Sequence, residues 1–252
     1  MPARRAIRLA AVMFAGGVAV SALGGCYIDV GALQQRTDSY SVSGHVQAVV
    51  VHAHVGGVRI TGTDSGKIVV TEHITFRHNA PRTTHQATAG TLTMDSHCPA
   101  LETCSVGYDI TVPRAMTVRV DDNVGTIRLE SLSGQVTAHT NAGDIDLGHV
   151  SGPVEVTSHA GSILGLDVSS GHVTLSLSAG RIEVTFSAPP DTATATATVG
   201  SVSLRLPGNV AYAIDARSTV GSTRVSVTRN PASPHHITAT TTTGSITIGP
   251  AP

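Results

Sequence analysis

The sequence predicts an all-β fold: an elongated β-solenoid, β-helix-like, with coils of roughly 18–23 residues turned at glycine corners. Three observations carry that prediction. A small residue followed by glycine, with apolar residues at the second and usually the fourth place after it, occurs seven times, at Gly125, Gly143, Gly161, Gly180, Gly200, Gly221 and Gly244. These glycines are 18, 18, 19, 20, 21 and 23 residues apart. A period of about 20 residues with strand-like content marks an architecture in which each coil buries its apolar edge only by stacking on the next. Ahead of each glycine, apolar and small residues alternate with period 2, as in Val136, Ala138, Thr140, Ala142 and in Val173, Leu175, Leu177, Ala179. That is the pattern of a half-buried strand. Finally, 13% of the residues are charged, 3% are aromatic and Trp is absent, while glycine numbers 26. A core of Val, Ile, Leu and Ala suits thin stacked layers and many tight corners.

The elements follow in order. Arg4, Arg5 and Arg8 precede an apolar run from Leu9 to Leu23, which ends at Leu23-Gly24-Gly25-Cys26. A short apolar run with a basic flank and small residues at its end reads as an export signal over residues 1–25. Leu-Gly-Gly-Cys resembles a bacterial lipobox, which makes Cys26 the lipidated first residue of the mature chain and the membrane its partner. Each buried methylene of a palmitate-type acyl chain adds about 0.8 kcal/mol to anchoring. Residues 26–40 read as a tether and 41–252 as the β-solenoid repeat domain, irregular over 41–120 and regular over 121–248.

In the irregular part, Val55-Gly56-Gly57-Val58-Arg59-Ile60 echoes the repeat, followed by strand-like Lys67–Ile74, Thr91–Met94 and Val106–Val112. Cys98 and Cys104, six apart in a loop-like stretch of an exported chain, predict a local disulfide. Their spacing fits neither a usual zinc site nor a C-x-x-C redox pair. In the regular part the apolar alternation slips by one residue at each glycine. Such a slip would turn the wrong face inward unless the chain bends there, and glycine permits the bend. A second glycine-marked corner recurs at Leu132-Ser133-Gly134, Val150-Ser151-Gly152 and Val168-Ser169-Ser170-Gly171.

The Gly-x-Ile-x-Leu repeats, the Leu-Ser-Gly-x-Val corners, Tyr108-Asp109-Ile110-Thr111-Val112-Pro113 and Leu206-Pro207 followed by Tyr212 together resemble a bacterial β-strand-repeat family known as putative adhesins, a domain of unknown function. The likeness runs from about residue 41 to 248. It implies a β-solenoid and brings no catalytic residues.

Chemistry is sparse. Stacked coils would place Arg128, Asp146, Leu164, Glu183, Ser203 and Arg224 in one outer ladder, three places after successive glycines. Asp144, Asp146 and Arg128 are the nearest approach to the paired carboxylates a polysaccharide-cleaving enzyme needs; a solvated ion pair is the plainer reading. Of the 13 histidines, His52 and His54 share a strand face and His235-His236 are adjacent. His139 and His159 fall at different places in their repeats, and no pair is joined by a Cys or carboxylate at ligand spacing. Outer rows such as Thr137, Glu155, Thr174, Thr194, Asp215, Thr238 are interrupted by charges, which argues against a regular threonine array. The mature chain's few aromatics do not recur at the repeat interval, which argues against sugar stacking. With 16 basic and 17 acidic residues there is no basic field for nucleic acid. The sequence therefore predicts a non-enzymatic, adhesin-like or protein-interaction scaffold. It would be lipid-anchored to the cell membrane and face outward, with no cofactor or metal, its envelope or surface partner left open. The alternatives are a polysaccharide-active enzyme using Asp144 and Asp146, and an accessory protein of envelope-stress sensing.

Overall fold

The computed structural model describes residues 32–42, 44–99 and 102–252. The export signal, Cys26 and the first part of the tether lie outside the described residues. Within them the chain runs through β1 (Gln34–Val42), β2 (Ala48–Val55), β3 (Val58–Thr63), β4 (Ile68–Phe76), β5 (Arg82–Thr88) and β6 (Thr91–His97). There follow β7 (Cys104–Pro113), β8 (Thr117–Val124), β9 (Ile127–Glu130), β10 (Val136–Ala142), β11 (Ile145–Gly148) and the long β12 (Val154–Val168), β13 (His172–Phe186) and β14 (Thr192–Leu206). The last are β15 (Ala213–Val220), β16 (Thr223–Val225), β17 (His236–Thr243) and β18 (Ile246–Pro250). The fold is all-β and β-solenoid-like.

The strands stack in two rows. One runs β5, β6, β2, β8, β10, the first halves of β12, β13 and β14, then β17 and β15. The other runs β1, β4, β7, β3, β9, β11, the second halves of β12 to β14, then β18 and β16. From β2 and β3 onward every pairing is parallel and equivalent residues lie side by side. Val136 neighbours Val154, which neighbours Val173, which neighbours Ala193. The inward residues of both rows form one contiguous core. Val136, Ala138, Ile145, Leu147, Val156 and Ile163 are all essentially inaccessible. Each Val, Ile or Leu so buried contributes about 1.5–3 kcal/mol relative to exposure.

The sequence motif has a direct steric cause. A Cβ built on Gly143 would fall on the carbonyl oxygen of Gly125, one on Gly161 on that of Gly143, and one on Gly180 on that of Gly161. These glycines form a column where one peptide backbone rests against the next, and from Gly143 onward φ is between +134° and +146°. In the second recurring bend the left-handed residues are not glycines. They are Ser131, His149 and Asp167, with φ of 58°, 52° and 53°. Gly134 and Gly152 serve there for close approach, since a Cβ on either would strike the backbone of the adjacent layer.

Two expectations change. Residues 34–40, read as tether, belong to β1, which pairs antiparallel with β4. Tyr40 holds it there by donating to Glu72 Oε1 at 2.8 Å. The layers also do not stack in chain order at the far end, because β14 pairs with β17 and β18, and β15 and β16 lie outside them. Between β6 and β7, Cys98 and Cys104 are joined in a disulfide with Cα atoms 5.9 Å apart. At the opposite end the chain closes with antiparallel strands: β1 on β4, β4 on β7, and β5 on β6.

Candidate interaction surface

Parallel register turns outward side chains into rows that cross the strands, and the row nearest the predicted enzyme residues reads Asp109, Arg59, Arg128, Asp146, Leu164, Glu183. Its charges are mostly paired. Arg128 Nη2 donates to Asp146 Oδ2 at 2.8 Å, and this hydrogen bond, with the carboxylate's charge, holds the guanidinium above its ordinary pKa. Asp109 takes His73 Nε2 at 2.9 Å and Arg59 Nε at 3.5 Å. Asp144 does not join them. It follows Gly143 at the bend, where its Oδ1 accepts the N–H of Ser162 at 2.7 Å. Asp144 thus caps the backbone of the next layer, while Asp146 lies on β11 with Arg128. Asp121 and Asp122, adjacent in sequence, part company across the sheet. Asp121 receives two bonds from Arg119, both of 2.9 Å, whereas Asp122 is 2% exposed in the interior.

Past the ion pair the same face opens into a shallow groove of about 470 Å³. Its apolar floor is Leu164 and Leu166, its rim Arg128, Glu130, Asp146 and Glu183. Leu166 is 60% exposed, an unusual place for a leucine on a strand. Asp146 and Glu183 flank Leu164 on either side, so they are two strand spacings apart, or about 9–10 Å along the row.

The opposite face carries a polar ladder that sequence reasoning missed. Asp95, His52, Asp121 and His139 are successive neighbours on β6, β2, β8 and β10. Carboxylate and imidazole thus alternate across four strands, with His52 Nδ1 3.5 Å from Asp121 Oδ2. His139 meets His159 edge to face, ring centres 5.4 Å apart. His159 Nδ1 is 3.0 Å from Asn141 Oδ1, and Asn141 Nδ2 donates to Asn123 Oδ1 at 2.8 Å. Local spacing could not reveal these neighbours because they come from strands remote in sequence. Among the described residues no three His, Cys, Asp or Glu side chains are placed to hold a metal ion.

A family model described as Toastrack DUF4097 matches residues 63–249, the greater part of the chain. The chain belongs to this Toastrack family. Two solved structures are similar to this Toastrack chain. One, from Clostridium sporogenes ATCC 15579, is described as a putative cell adhesion protein; it is 12% identical with a TM-score of 0.38, over 86% of this chain and 99% of that one. The other, from Bacteroides fragilis NCTC 9343, is described as a putative adhesin; it is 14% identical with a TM-score of 0.40, over 86% of this chain and 96% of that one. No curated protein matches the Toastrack chain.

Proposed function

We propose that this Toastrack protein is a non-enzymatic, adhesin-like interaction scaffold, exported and held to the outer side of the cell membrane by a lipidated Cys26. In this reading its stack is built of 18–23-residue coils turned at the glycine column. The observation that carries the interaction role is the groove over Leu164 and Leu166. It offers exposed aliphatic surface with a polar rim on a rigid parallel stack, the composition of a protein-docking patch. The polysaccharide-cleaving alternative draws less support, because Asp144 is committed to a backbone N–H and Asp146 to Arg128.

Crosslinking on intact cells tests the scaffold role. Wild type should capture a discrete envelope or surface partner that Leu166→Arg no longer captures, and equal capture by both would refute the groove as the docking patch. Cys26→Ser should release the protein from the membrane fraction; retention at wild-type levels would refute the anchor. Asp146→Ala should leave cell-wall glycan turnover unchanged, and a measured loss would revive the enzyme.

A further inference from the structure

The inward position three residues before each column glycine carries a polar side chain in several layers, and these hydroxyls reach the glycine carbonyl of the adjacent layer. Ser218 Oγ donates to Gly244 O at 2.8 Å, Thr241 Oγ1 to Gly200 O at 3.3 Å and Ser158 Oγ to Gly143 O at 3.5 Å. Thr140 occupies the same position without a partner. The reason lies in the column itself. Backbones press too closely there for a side chain on the glycine, and their carbonyl oxygens are left to find donors.

Asp122 is the carboxyl member of this series. It stands three residues before Gly125, between Ala53 on β2 and Thr140 on β10. A Cβ on Gly125 would fall on both the Gly56 carbonyl oxygen and Asp122 Oδ2, so these two acceptors crowd one point. Gly56 O receives no backbone hydrogen bond among the described residues. Neither oxygen of Asp122 has a hydrogen-bond partner. Two acceptors facing each other in the interior repel when the carboxyl is ionised and bond when it carries a proton.

We propose that Asp122 is a proton-operated latch between the irregular end of the stack and its regular layers: protonated, it donates to the Gly56 carbonyl; ionised, it leaves that junction unlatched. The junction is otherwise held by backbone bonds such as Gly56 N–H to Val124 O at 3.0 Å and Val58 N–H to Thr126 O at 2.9 Å. No charged group faces Asp122 from the layers beside it, since its cross-strand partners are Ala53 and Thr140. The titratable neighbours His52, His54, Asp121 and His139 take the alternate, outward positions of their strands. Burial pushes the carboxyl up to about 6; the N–H groups of Asn123 and Val124 oppose this from nearby without hydrogen bonds of ordinary geometry. The sign follows from linkage. An unfolded Asp loses its proton near pH 4, so between pH 4 and 6 the folded chain retains a proton that the unfolded chain has lost. Stability from this group is therefore full below about pH 4, falls as pH rises to about 6, and is constant above. The unfolding constant should rise about 100-fold over that interval.

The test is a carbon-13 titration of the full-length protein, following the Asp122 carboxyl and the Gly56 carbonyl together, with urea unfolding of wild type and Asp122→Thr at pH 4 and 7. The latch predicts that both carbons titrate at one midpoint near pH 6. It also predicts that the wild-type unfolding constant rises about 100-fold more than that of Asp122→Thr, whose hydroxyl can donate at either pH. An Asp122 midpoint near 4 overturns the proposal. So does a raised midpoint with an unmoved Gly56 carbonyl, which would make Asp122 merely a buried acid. Parallel pH profiles for the two proteins overturn it as well. Should Asp122→Thr fail to fold, the two carbon titrations decide on wild type alone.

Discussion

Replacing Gly180 by alanine tests the steric account of the repeat at its best-packed point. Gly180 has Gly161 beside it on one side and Gly200 on the other, and its φ is 136°. An L-residue held there costs about 1–3 kcal/mol in backbone strain alone. The added methyl would also land on the Gly161 carbonyl oxygen. Backbone, unlike a side-chain tip, cannot swing aside, so β12 and β13 must part locally. Two ladder hydrogen bonds lost in doing so add about 1 kcal/mol each. The expected loss is about 3–5 kcal/mol. For a domain of this size that lowers the melting temperature by about 6–20 °C. Urea unfolding followed by far-ultraviolet circular dichroism measures the free energy, and a thermal scan the shift. The control is Gly66→Ala, where the new methyl would meet nothing within 4 Å and the change should stay within about 1 kcal/mol. If Gly180→Ala unfolds within 0.5 kcal/mol of wild type (roughly the spread of a neutral surface change), the glycine column is not what fixes the repeat.

Three further outcomes follow from geometry already described. Ser131→Gly relieves a left-handed serine at φ 58° and should stabilise by about 0.5–1 kcal/mol in the same unfolding assay. The Arg128–Asp146 pair should show a coupling energy below about 1 kcal/mol in a double-mutant cycle and weaken further in salt, because both side chains reach solvent. Reducing the Cys98–Cys104 bridge, or replacing both cysteines with serine, should cost about 2 kcal/mol, as expected for a short closed loop, with hydrogen exchange rising first beside β6 and β7.

The alternating residues before each glycine were legible because a half-buried strand writes its inward face into every second position. Val136, Ala138, Val154 and Val156 are buried accordingly. The glycines were legible as special positions for a related reason, since only a residue without Cβ fits between two touching backbones. What local pattern could not supply was the identity of a layer's neighbour. Every layer presents much the same apolar edge, so β14 would accept β15 or β17 equally well on pattern alone. The connecting segments decide, as Tyr212 shows: it is buried with its hydroxyl on Pro207 O at 2.8 Å, and its backbone pairs with residues 228–230. The same blindness hid the candidate site. Asp144 and Asp146 look like a pair on paper, but one meets the backbone of the next layer and the other a side chain of the previous one. The alternation of Asp95, His52, Asp121 and His139 exists only across strands. The polar inward series of Asp122, Thr140, Ser158 and Thr241 did leave a trace, as a break in an otherwise apolar alternation. Its meaning needed the neighbouring carbonyls.

The exchanged order of the last layers bears on how the molecule is made. A chain emerging residue by residue could add most of its regular layers as they arrive, each new one settling on the last. That stops at β14. In the finished stack the next strands made, β15 and β16, lie against β17 and β18, which are synthesised after them. The native order is therefore reached only once β17 and β18 have been made and laid against β14, and until then the β14 edge is open to β15, whose pattern fits it equally well. The strands made last are thus the ones that fix the order of the final layers.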